Sequence, residues 1–157
     1  GLIADNPIED YADGPAAALE RIWALTPLHP PAAKFIYSDV NFIVLGKLVE
    51  RLAGESVADY ARRTTFAPLG MKETGYRPAA ELRARCAPTE DRDGAWMRGD
   101  VHDPRCWKLE GVAGHAGLFG TAADLARYAA MMLSGGALDG TRVLAPQTVA
   151  QIGRAHV

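Results

Sequence analysis

The sequence contains little cysteine, no marked excess of charge and no long apolar run, and each shortage excludes a class of protein. Its two cysteines, Cys86 and Cys106, lack the spacing of metal ligands, and one pair does not distinguish a disulfide from two buried thiols. The balance of 17 basic against 19 acidic residues gives a formal net charge of −2, so charge gives no reason to expect nucleic acid or an anionic membrane as a partner. No apolar run approaches the roughly 20 residues of a membrane-spanning helix.

Complete catalytic motifs are also missing. The chain has no G-x-S-x-G sequence, which excludes the nucleophile elbow of an α/β-hydrolase. None of its three serines is followed by a lysine three residues later: Ser38, Ser56 and Ser134. Its four histidines do not form an H-E-x-x-H or other strong zinc pattern: His29, His102, His115 and His156. The chain therefore contains at most part of a catalytic site.

The sequence does have the composition of a globular protein, with 48% hydrophobic and 23% charged residues among 157. Apolar residues at helical spacing predict four helices: over residues 16–25, from about 38 to 53, after Ser56 and after Thr121. A short strand is predicted at residues 141–144, before a helix that begins at Pro146. Residues 72–111 are rich in glycine and proline, which predicts a loop-rich connection. The balance is mostly helical, with too few strands for a complete sheet.

The segment KFIYSDVNF, residues 34–42, places a tyrosine, a hydroxyl and a carboxylate at the start of the second helix. Ser38 is a typical N-cap, because its oxygen can accept a hydrogen bond from an otherwise unpaired amide, and Asp39 complements the positive end of the helix. Tyr37 taken alone is interpreted as a packing residue. The helix is apolar on most sides, which predicts a central position rather than a surface one.

Both ends of the sequence lead to expectations. The chain begins at Gly1 rather than methionine, and we expect that an upstream part of the protein is missing. Residues 152–157 read IGRAHV, which the codons ATC GGA AGA GCA CAC GTC would encode, and that string is a widely used sequencing adapter. We therefore expect natural coding sequence to end near Gln151.

The stretch YSDVNFIVLGKLVERLAGESVADYARRTTFAPLGMKETGY resembles the region around the second motif of serine β-lactamase-like hydrolases, which include class C β-lactamases, DD-peptidases and related esterases. Residues 87–103 and 111–136 resemble two later family segments in the same order. The resemblance implies an α/β (α+β) fold with a sheet domain and a mainly helical domain. Residues 1–151 would be an incomplete domain of this kind, helical over about residues 14–136, followed by the adapter-derived tail.

The resemblance also implies roles for individual residues. Tyr37 falls on the family's catalytic tyrosine, which relays a proton together with a lysine. A phenol with a pKa of about 10 is a poor base at neutral pH, so a nearby ammonium would have to lower that pKa. The lysine would come from the family's Ser-x-x-Lys motif, expected upstream of Gly1. Asp39 stands where many members have asparagine, and an ionised aspartate only accepts hydrogen bonds.

Two further segments are candidates for substrate binding. Residues 114–118 are interpreted as a wall of the substrate cleft, with His115, Ala116 and Gly117 as its candidate residues. His115-Ala116-Gly117 superficially mimics the family's third motif, but its position before a capped helix argues against that assignment. A structural role for His115 in a glycine-rich turn remains the alternative. His102 and Asp103 lie in a loop that resembles the family's site-bordering loop, and for His102 a functional and a structural role both remain open.

The resemblance implies acyl transfer by a serine hydrolase, through an acyl-enzyme, on a small-molecule ester, amide or peptide. No metal or organic cofactor is implied, and the family suggests export to the periplasm or outside the cell. The alternative is a non-catalytic ligand-binding or sensor protein of the same fold. The chain by itself is expected to be inactive, because the nucleophile and its lysine are missing from it.

Overall fold

The computed structural model describes residues 1–152, so residues 153–157 of the expected adapter-derived tail lie outside the described part. The chain divides into two compact units, which are described separately. Unit 1 consists of Gly1–Val57 and Tyr76–Leu118, and unit 2 of Ala58–Gly75 and the described residues from Phe119 to Ile152. In the described range, no helix combines the length and the apolarity needed to cross a bilayer.

The secondary structure is mainly helical, as the sequence predicts. The helices are a 3₁₀-helix at Ile8–Tyr11, α1 (Pro15–Trp23), α2 (Asp39–Ala53), α3 (Val57–Ala61), a π-helical turn at Arg62–Phe66, α4 (Ala80–Arg83), α5 (Pro104–Lys108), α6 (Ala122–Leu133) and α7 (Pro146–Ile152). The strands are β1 (Gly75–Tyr76), β2 (Pro88–Arg92), β3 (Ala95–Arg98), β4 (Leu118–Phe119), β5 (Ala137–Leu138) and β6 (Thr141–Arg142). The predicted helices and the strand within residues 141–144 are confirmed.

Residues 72–111 contain more structure than the sequence predicted. β2 and β3 form an antiparallel hairpin in which Arg92 pairs with Ala95. The two residues between them, Asp93 and Gly94, both have positive φ, at 53° and 82°. Two consecutive positive φ angles fit the strand twist in a tight hairpin, and Asp-Gly is a preferred sequence for them. The hairpin was missed in the sequence because Asp93-Gly94 was not recognised as its turn.

Helix α2 has the two ends that the sequence predicts. Ser38 is the N-cap, and its side chain accepts a hydrogen bond from the amide of Asn41. Gly54 ends the helix with a φ of 72°, in the left-handed region that glycine adopts without a steric penalty. The Ser38 cap fixes where the helix begins, and so it fixes the positions of Tyr37 and Asp39 along the chain.

The prediction that α2 is central is only partly met. Its face toward the core of unit 1 is buried, with Ile43 only 1% exposed. Four large apolar residues of the same helix are exposed: Phe42, Leu45, Leu48 and Leu52. The described part of unit 1 covers one side of α2 and leaves the other in contact with solvent.

The core of unit 1 brings α1, α2 and the segment around α5 together. It consists of Tyr11, Ala18, Ile22, Val40, Ile43, Val101, Cys106, Leu109 and Ala113. Burial raises the pKa of the Cys106 thiol to about 12, and the charge of Asp103 adds to this effect. Both cysteines have free thiols in the structure, and Cys106 is completely buried.

Two glycines allow the loop after α5 to lie directly against the backbone of α2. A Cβ atom at Gly114 would lie 2.0 Å from the carbonyl oxygen of Phe42 and 3.0 Å from the amide nitrogen of Gly46. A Cβ atom at Gly46 would lie 2.9 Å from the amide nitrogen of Gly114. Side chains at either position would force the backbones apart, so the two glycines fix the distance between loop and helix.

Unit 2 has its own small core, in which α6 packs against the residues before β1. The buried residues are Phe66, Leu69, Met71 and Met131. Thr121 caps α6, because its side chain accepts a hydrogen bond from the amide of Asp124. The Asp124 carboxylate accepts further hydrogen bonds from the amide of Glu73 and the hydroxyl of Thr74. This tertiary role of Asp124 was not predicted from the sequence.

Candidate active site at the start of helix α2

The N-terminal segment of the chain holds the start of α2 in place. The Ser38 hydroxyl donates a hydrogen bond to the carbonyl oxygen of Ile3 at 2.6 Å, while it accepts one from the amide of Asn41 at 3.0 Å. The amide of Asp39 donates to the carbonyl oxygen of Ala4 at 2.9 Å. Ser38 is buried, so these bonds form where water does not compete for them. The capping role predicted for Ser38 is confirmed.

Tyr37 extends from this fixed point into solvent. Its side chain is 68% exposed, and its hydroxyl donates a hydrogen bond to Oδ1 of Asp39 at 2.7 Å. That hydrogen bond, and then the charge of Asp39, raise the pKa of the Tyr37 phenol above its ordinary value. The carboxylate favours the protonated phenol because a phenolate would repel it. A role as a base would require a cation that reverses this effect.

Asp103 forms a second anchored carboxylate in unit 1. It is the N-cap of α5, and its side chain accepts a hydrogen bond from the amide of Cys106 at 2.6 Å. Its other partner is Nε2 of His115, 2.9 Å from the same oxygen. Burial acts to raise the pKa of the Asp103 carboxyl, but the Cys106 amide, His115 and Arg105 outweigh it, and the pKa is lowered.

The imidazole of His115 is held through only one of its two ring nitrogens, Nε2. Its side chain is 2% exposed, and in the described part of the chain Nδ1 has no hydrogen-bond partner. The residues after it are held closely as well. The carbonyl oxygen of Ala116 accepts a hydrogen bond from the Cys106 thiol at 3.2 Å, and Gly117 has a φ of 112°, which disfavours a side chain. The loop thus presents the Nε2 end of His115 in a defined direction.

These anchors bring three ligand-type side chains together. The polar atoms of Asp39, Asp103 and His115 all lie within 4.8 Å of one another, and Tyr37 joins them through its hydrogen bond to Asp39. The sequence had singled out Asp39, His115 and Tyr37 as candidates, and it had placed Asp103 only in the loop that resembles the family's site-bordering loop. The dipeptide Asp103-Pro104 was the available signal, because an N-cap followed by proline at the first helical position is typical of a helix start.

The remaining candidates have different surroundings. His102 is exposed, and its Nε2 lies 3.6 Å from the carboxylate of Glu90, so the structure pairs it with β2 and not with the cluster around Asp39. Ala116 and Gly117 belong to the loop that carries His115. Roles in substrate binding for His102, His115, Ala116 and Gly117 stay predictions.

Comparison with known proteins places the chain in a family. The Beta-lactamase family model matches residues 1–156. A curated protein of Salmonella schwarzengrund (strain CVM19633), named "Putative D-alanyl-D-alanine carboxypeptidase", is 34% identical over 161 residues, which cover 92% of this chain and 37% of that protein. The chain thus spans little more than a third of the length of the curated relatives that it matches.

Solved structures agree with this match. The beta-lactamase from Sulfitobacter sp. EE-36 is 25% identical with a TM-score of 0.64, over 96% of this chain and 37% of that one. The Beta-lactamase/D-alanine carboxypeptidase from Yersinia pestis, complexed with citrate, is 28% identical with a TM-score of 0.51, over 66% of this chain and 26% of that one. The expected serine β-lactamase/DD-peptidase-like fold is confirmed, and the chain belongs to the beta-lactamase family.

Proposed function

We propose that the whole protein is a serine hydrolase that transfers an acyl group from an ester or amide substrate through an acyl-enzyme. The observation that carries the proposal is the Tyr37–Asp39 pair, held at the capped start of α2 in a chain whose residues 1–156 match the Beta-lactamase family. A serine and a lysine elsewhere in the whole protein would complete the site, because this chain has no Ser-x-x-Lys sequence.

Tyr37 is the proposed acid/base group. In acylation, the serine oxygen adds to the substrate carbonyl, its proton passes to the Tyr37 phenolate, and the leaving group departs with that proton. In deacylation, water adds to the acyl carbon and gives its proton to the Tyr37 phenolate, which passes it to the serine oxygen as the acyl–serine bond breaks. Asp39 raises the pKa of Tyr37 in this chain, so a lysine ammonium near the pair is needed to make the phenolate accessible.

The proposed substrates are small esters or peptides, with peptides ending in D-alanyl-D-alanine as the first choice. The Salmonella relative's name supports the peptide, and its similarity covers 92% of this chain. Asp39 argues against β-lactam amides as substrates, because an aspartate cannot donate the hydrogen bond that an asparagine side chain offers to a carbonyl. An enzyme of this kind would act in the periplasm or outside the cell.

The test uses the whole protein, expressed from the complete coding sequence. Release of D-alanine from a peptide ending in D-alanyl-D-alanine, and hydrolysis of a chromogenic ester and a cephalosporin, would be measured for the wild type and for Tyr37→Phe. We expect at least about a 100-fold loss of kcat in Tyr37→Phe, as is typical for a lost acid/base group. Tyr60→Phe, which changes an exposed tyrosine of unit 2, is the matched control and should keep full activity.

Two results would contradict the proposal. Full activity in Tyr37→Phe would remove the tyrosine from the mechanism. A whole protein that binds such substrates without turning them over would instead support a non-catalytic, ligand-binding relative.

A further inference from the structure

We propose that Arg105 is a positioning residue for the proton transfer by Tyr37, because it ties the segment that holds the start of α2 to the start of α5. The inference rests on the proposed function of Tyr37, and it assigns Arg105 no contact with substrate. Arg105 lies two residues after the N-cap of α5, and its side chain is only 18% exposed. A guanidinium that is mostly buried needs hydrogen-bond and charge partners, and these partners define its role.

The N-terminal segment, residues 1–6, is bonded to the first turn of α2. Its carbonyl oxygens accept hydrogen bonds from the Ser38 hydroxyl and the Asp39 amide. Its Leu2 amide donates to Oδ1 of Asn41 at 3.0 Å. Three successive residues of the segment therefore contact the start of α2, so the position of the segment determines where the helix start and the tyrosine before it lie.

Asn6 anchors the other end of this segment. The residue is 1% exposed, and its side chain accepts a hydrogen bond from the Tyr11 hydroxyl at 2.8 Å. Its carbonyl oxygen accepts two hydrogen bonds from the Arg105 guanidinium, from Nε at 2.9 Å and from Nη2 at 2.7 Å. A variant without this guanidinium would remove two charge-assisted hydrogen bonds from a buried carbonyl, which is costly.

The charges at this point act in the same direction. Nε of Arg105 lies 3.5 Å from the carboxylate of Asp5, the residue between Asn6 and the part of the segment that holds α2. The charge of Arg105 also helps to lower the pKa of the Asp103 carboxyl at the start of α5. The carboxylates of Asp39 and Asp103 lie within 4.8 Å of each other, and their repulsion opposes the approach of the two helix starts. Through the N-terminal segment, Arg105 holds these helix starts together.

Lysine at this position would separate the two contributions of Arg105. An arginine directs several N–H groups from one planar fork, whereas a lysine has a single ammonium on a flexible stem. Arg105→Lys therefore keeps the charge but loses the paired hydrogen bonds to Asn6. A displacement of about 1 Å far from the reacting atoms can cost roughly 100-fold in rate. The loss of position should thus be visible in kcat.

The first measurement is hydrogen exchange in the whole protein, followed by mass spectrometry. The peptide to follow covers residues 35–42 and contains the Asp39 amide, which is bonded to Ala4. Its exchange should be about 10-fold faster in Arg105→Lys, because the N-terminal segment is held less firmly. Exchange in α6 of unit 2 should stay as in the wild type, which separates a local effect from general destabilisation.

The second measurement is the kinetics of the same preparation, with the substrates of the hydrolase test. Arg105→Lys should lower kcat by about 10-fold or more, because the acid/base group is displaced. KM should stay within about two-fold of the wild type, because the change affects the proton transfer and not the binding of substrate. Circular dichroism would establish that the variant is folded; if it is not, Arg105→Gln decides in its place.

Arg98→Lys is the matched control. Arg98 is an exposed arginine of unit 1 whose Nη1 donates to the carbonyl oxygen of Cys86 at 2.8 Å. This variant should match the wild type in both measurements. Wild-type exchange of residues 35–42 in Arg105→Lys, wild-type kcat despite faster exchange, or equal effects of Arg98→Lys would each overturn the inference.

The failure of the inference can be distinguished from the failure of the proposed function, because hydrogen exchange does not depend on turnover. A whole protein without hydrolase activity would refute acyl transfer, and with it the catalytic consequence of Arg105. Faster exchange in Arg105→Lys would then still establish the link between α5 and the start of α2. An active whole protein in which Arg105→Lys changes neither measurement would leave acyl transfer intact and refute the role of Arg105.

Discussion

At the scale of single residues, the contact between Tyr37 and Asp39 controls the protonation state of the phenol. The two side chains are two positions apart, and the start of α2 holds them in hydrogen-bond contact at 2.7 Å. Because the phenol donates to a carboxylate, removal of its proton is opposed by both the lost hydrogen bond and the repulsion between two negative charges. Reactivity of Tyr37 therefore depends on what else approaches the pair.

Asp39→Asn should lower the pKa of the Tyr37 phenol toward its ordinary value of about 10. The reason is that the amide carries no charge to oppose the phenolate. NMR titration of ring-labelled tyrosine, with the Tyr37 signal assigned by Tyr37→Phe, measures this shift. The exposed-site control Asp93→Asn should leave the titration unchanged, and an equal pKa in Asp39→Asn and the wild type would contradict the argument.

Asp103 should make unit 1 more stable at neutral pH than in acid. Its folded-state pKa lies below the ordinary aspartate value, so the native state favours the carboxylate. The stabilisation is present above the unfolded pKa of about 3.9 and is lost as the pH falls through the folded pKa. The difference in unfolding free energy between the wild type and Asp103→Asn should therefore be larger at pH 7 than at pH 3.

Denaturant unfolding measures that difference. All three tryptophans lie in unit 1, so their fluorescence reports on the unit that contains Asp103. Asparagine remains a good N-cap, so the comparison isolates the charge. A difference that does not depend on pH would show that the Asp103 charge contributes nothing to folding.

The site shows which residues could be predicted from sequence. Ser38 and Asp39 were predictable because a helix start imposes local chemistry, and Ser38 was confirmed as a cap. The contact between Asp103 and His115 was not predicted, because it depends on how the loop after α5 folds back onto α2. Tertiary contacts of this kind leave no periodic pattern in the chain.

At the scale of elements, the close approach of the loop after α5 to α2 is sensitive to any added side-chain atom. Gly114→Ala should destabilise the protein by at least about 1–3 kcal/mol, because the new Cβ would overlap the Phe42 carbonyl oxygen and the backbones would have to separate. Thermal unfolding followed by circular dichroism measures this loss.

Gly75→Ala is the matched control. No atom lies within 4 Å of a Cβ at Gly75, and its φ is outside the left-handed region, so this variant should unfold close to the wild-type temperature. Equal stability of Gly114→Ala and the wild type would mean that the loop does not lie against α2 in this way.

The same elements show the limits of prediction from pattern. The ends of α2 lie where the helical spacing over residues 38 to 53 predicted them, with Ser38 as the predicted N-cap. The degree of burial of α2 was not predicted correctly, since Leu52 is 78% exposed although the helix is apolar on most sides. A hydrophobic pattern indicates that a surface favours burial, but it does not indicate which part of a protein covers it.

At the scale of the whole molecule, the chain holds one part of the proposed catalytic set. It should therefore show no turnover of a chromogenic ester or a cephalosporin above the buffer rate, because it has no Ser-x-x-Lys sequence to supply a nucleophile and its lysine. Turnover in the isolated chain that is abolished by Tyr37→Phe would refute this expectation and place a nucleophile within the chain itself.

The glycine contact between α2 and the loop after α5 also orders the steps of folding. Helix α2 forms from neighbouring residues, whereas the contact of Gly46 with Gly114 must first close a long loop, and the entropy of that closure delays it. The contact of Ser38 with Ile3, which holds the start of α2, closes a shorter loop, so Tyr37 and Asp39 should be in place before His115 arrives. The Cys106 thiol donates a hydrogen bond to the carbonyl oxygen of Ala116, so it reports on the arrival of this loop. In refolding experiments, this thiol should become protected from pulsed alkylation later than the amides of α2 become protected from hydrogen exchange.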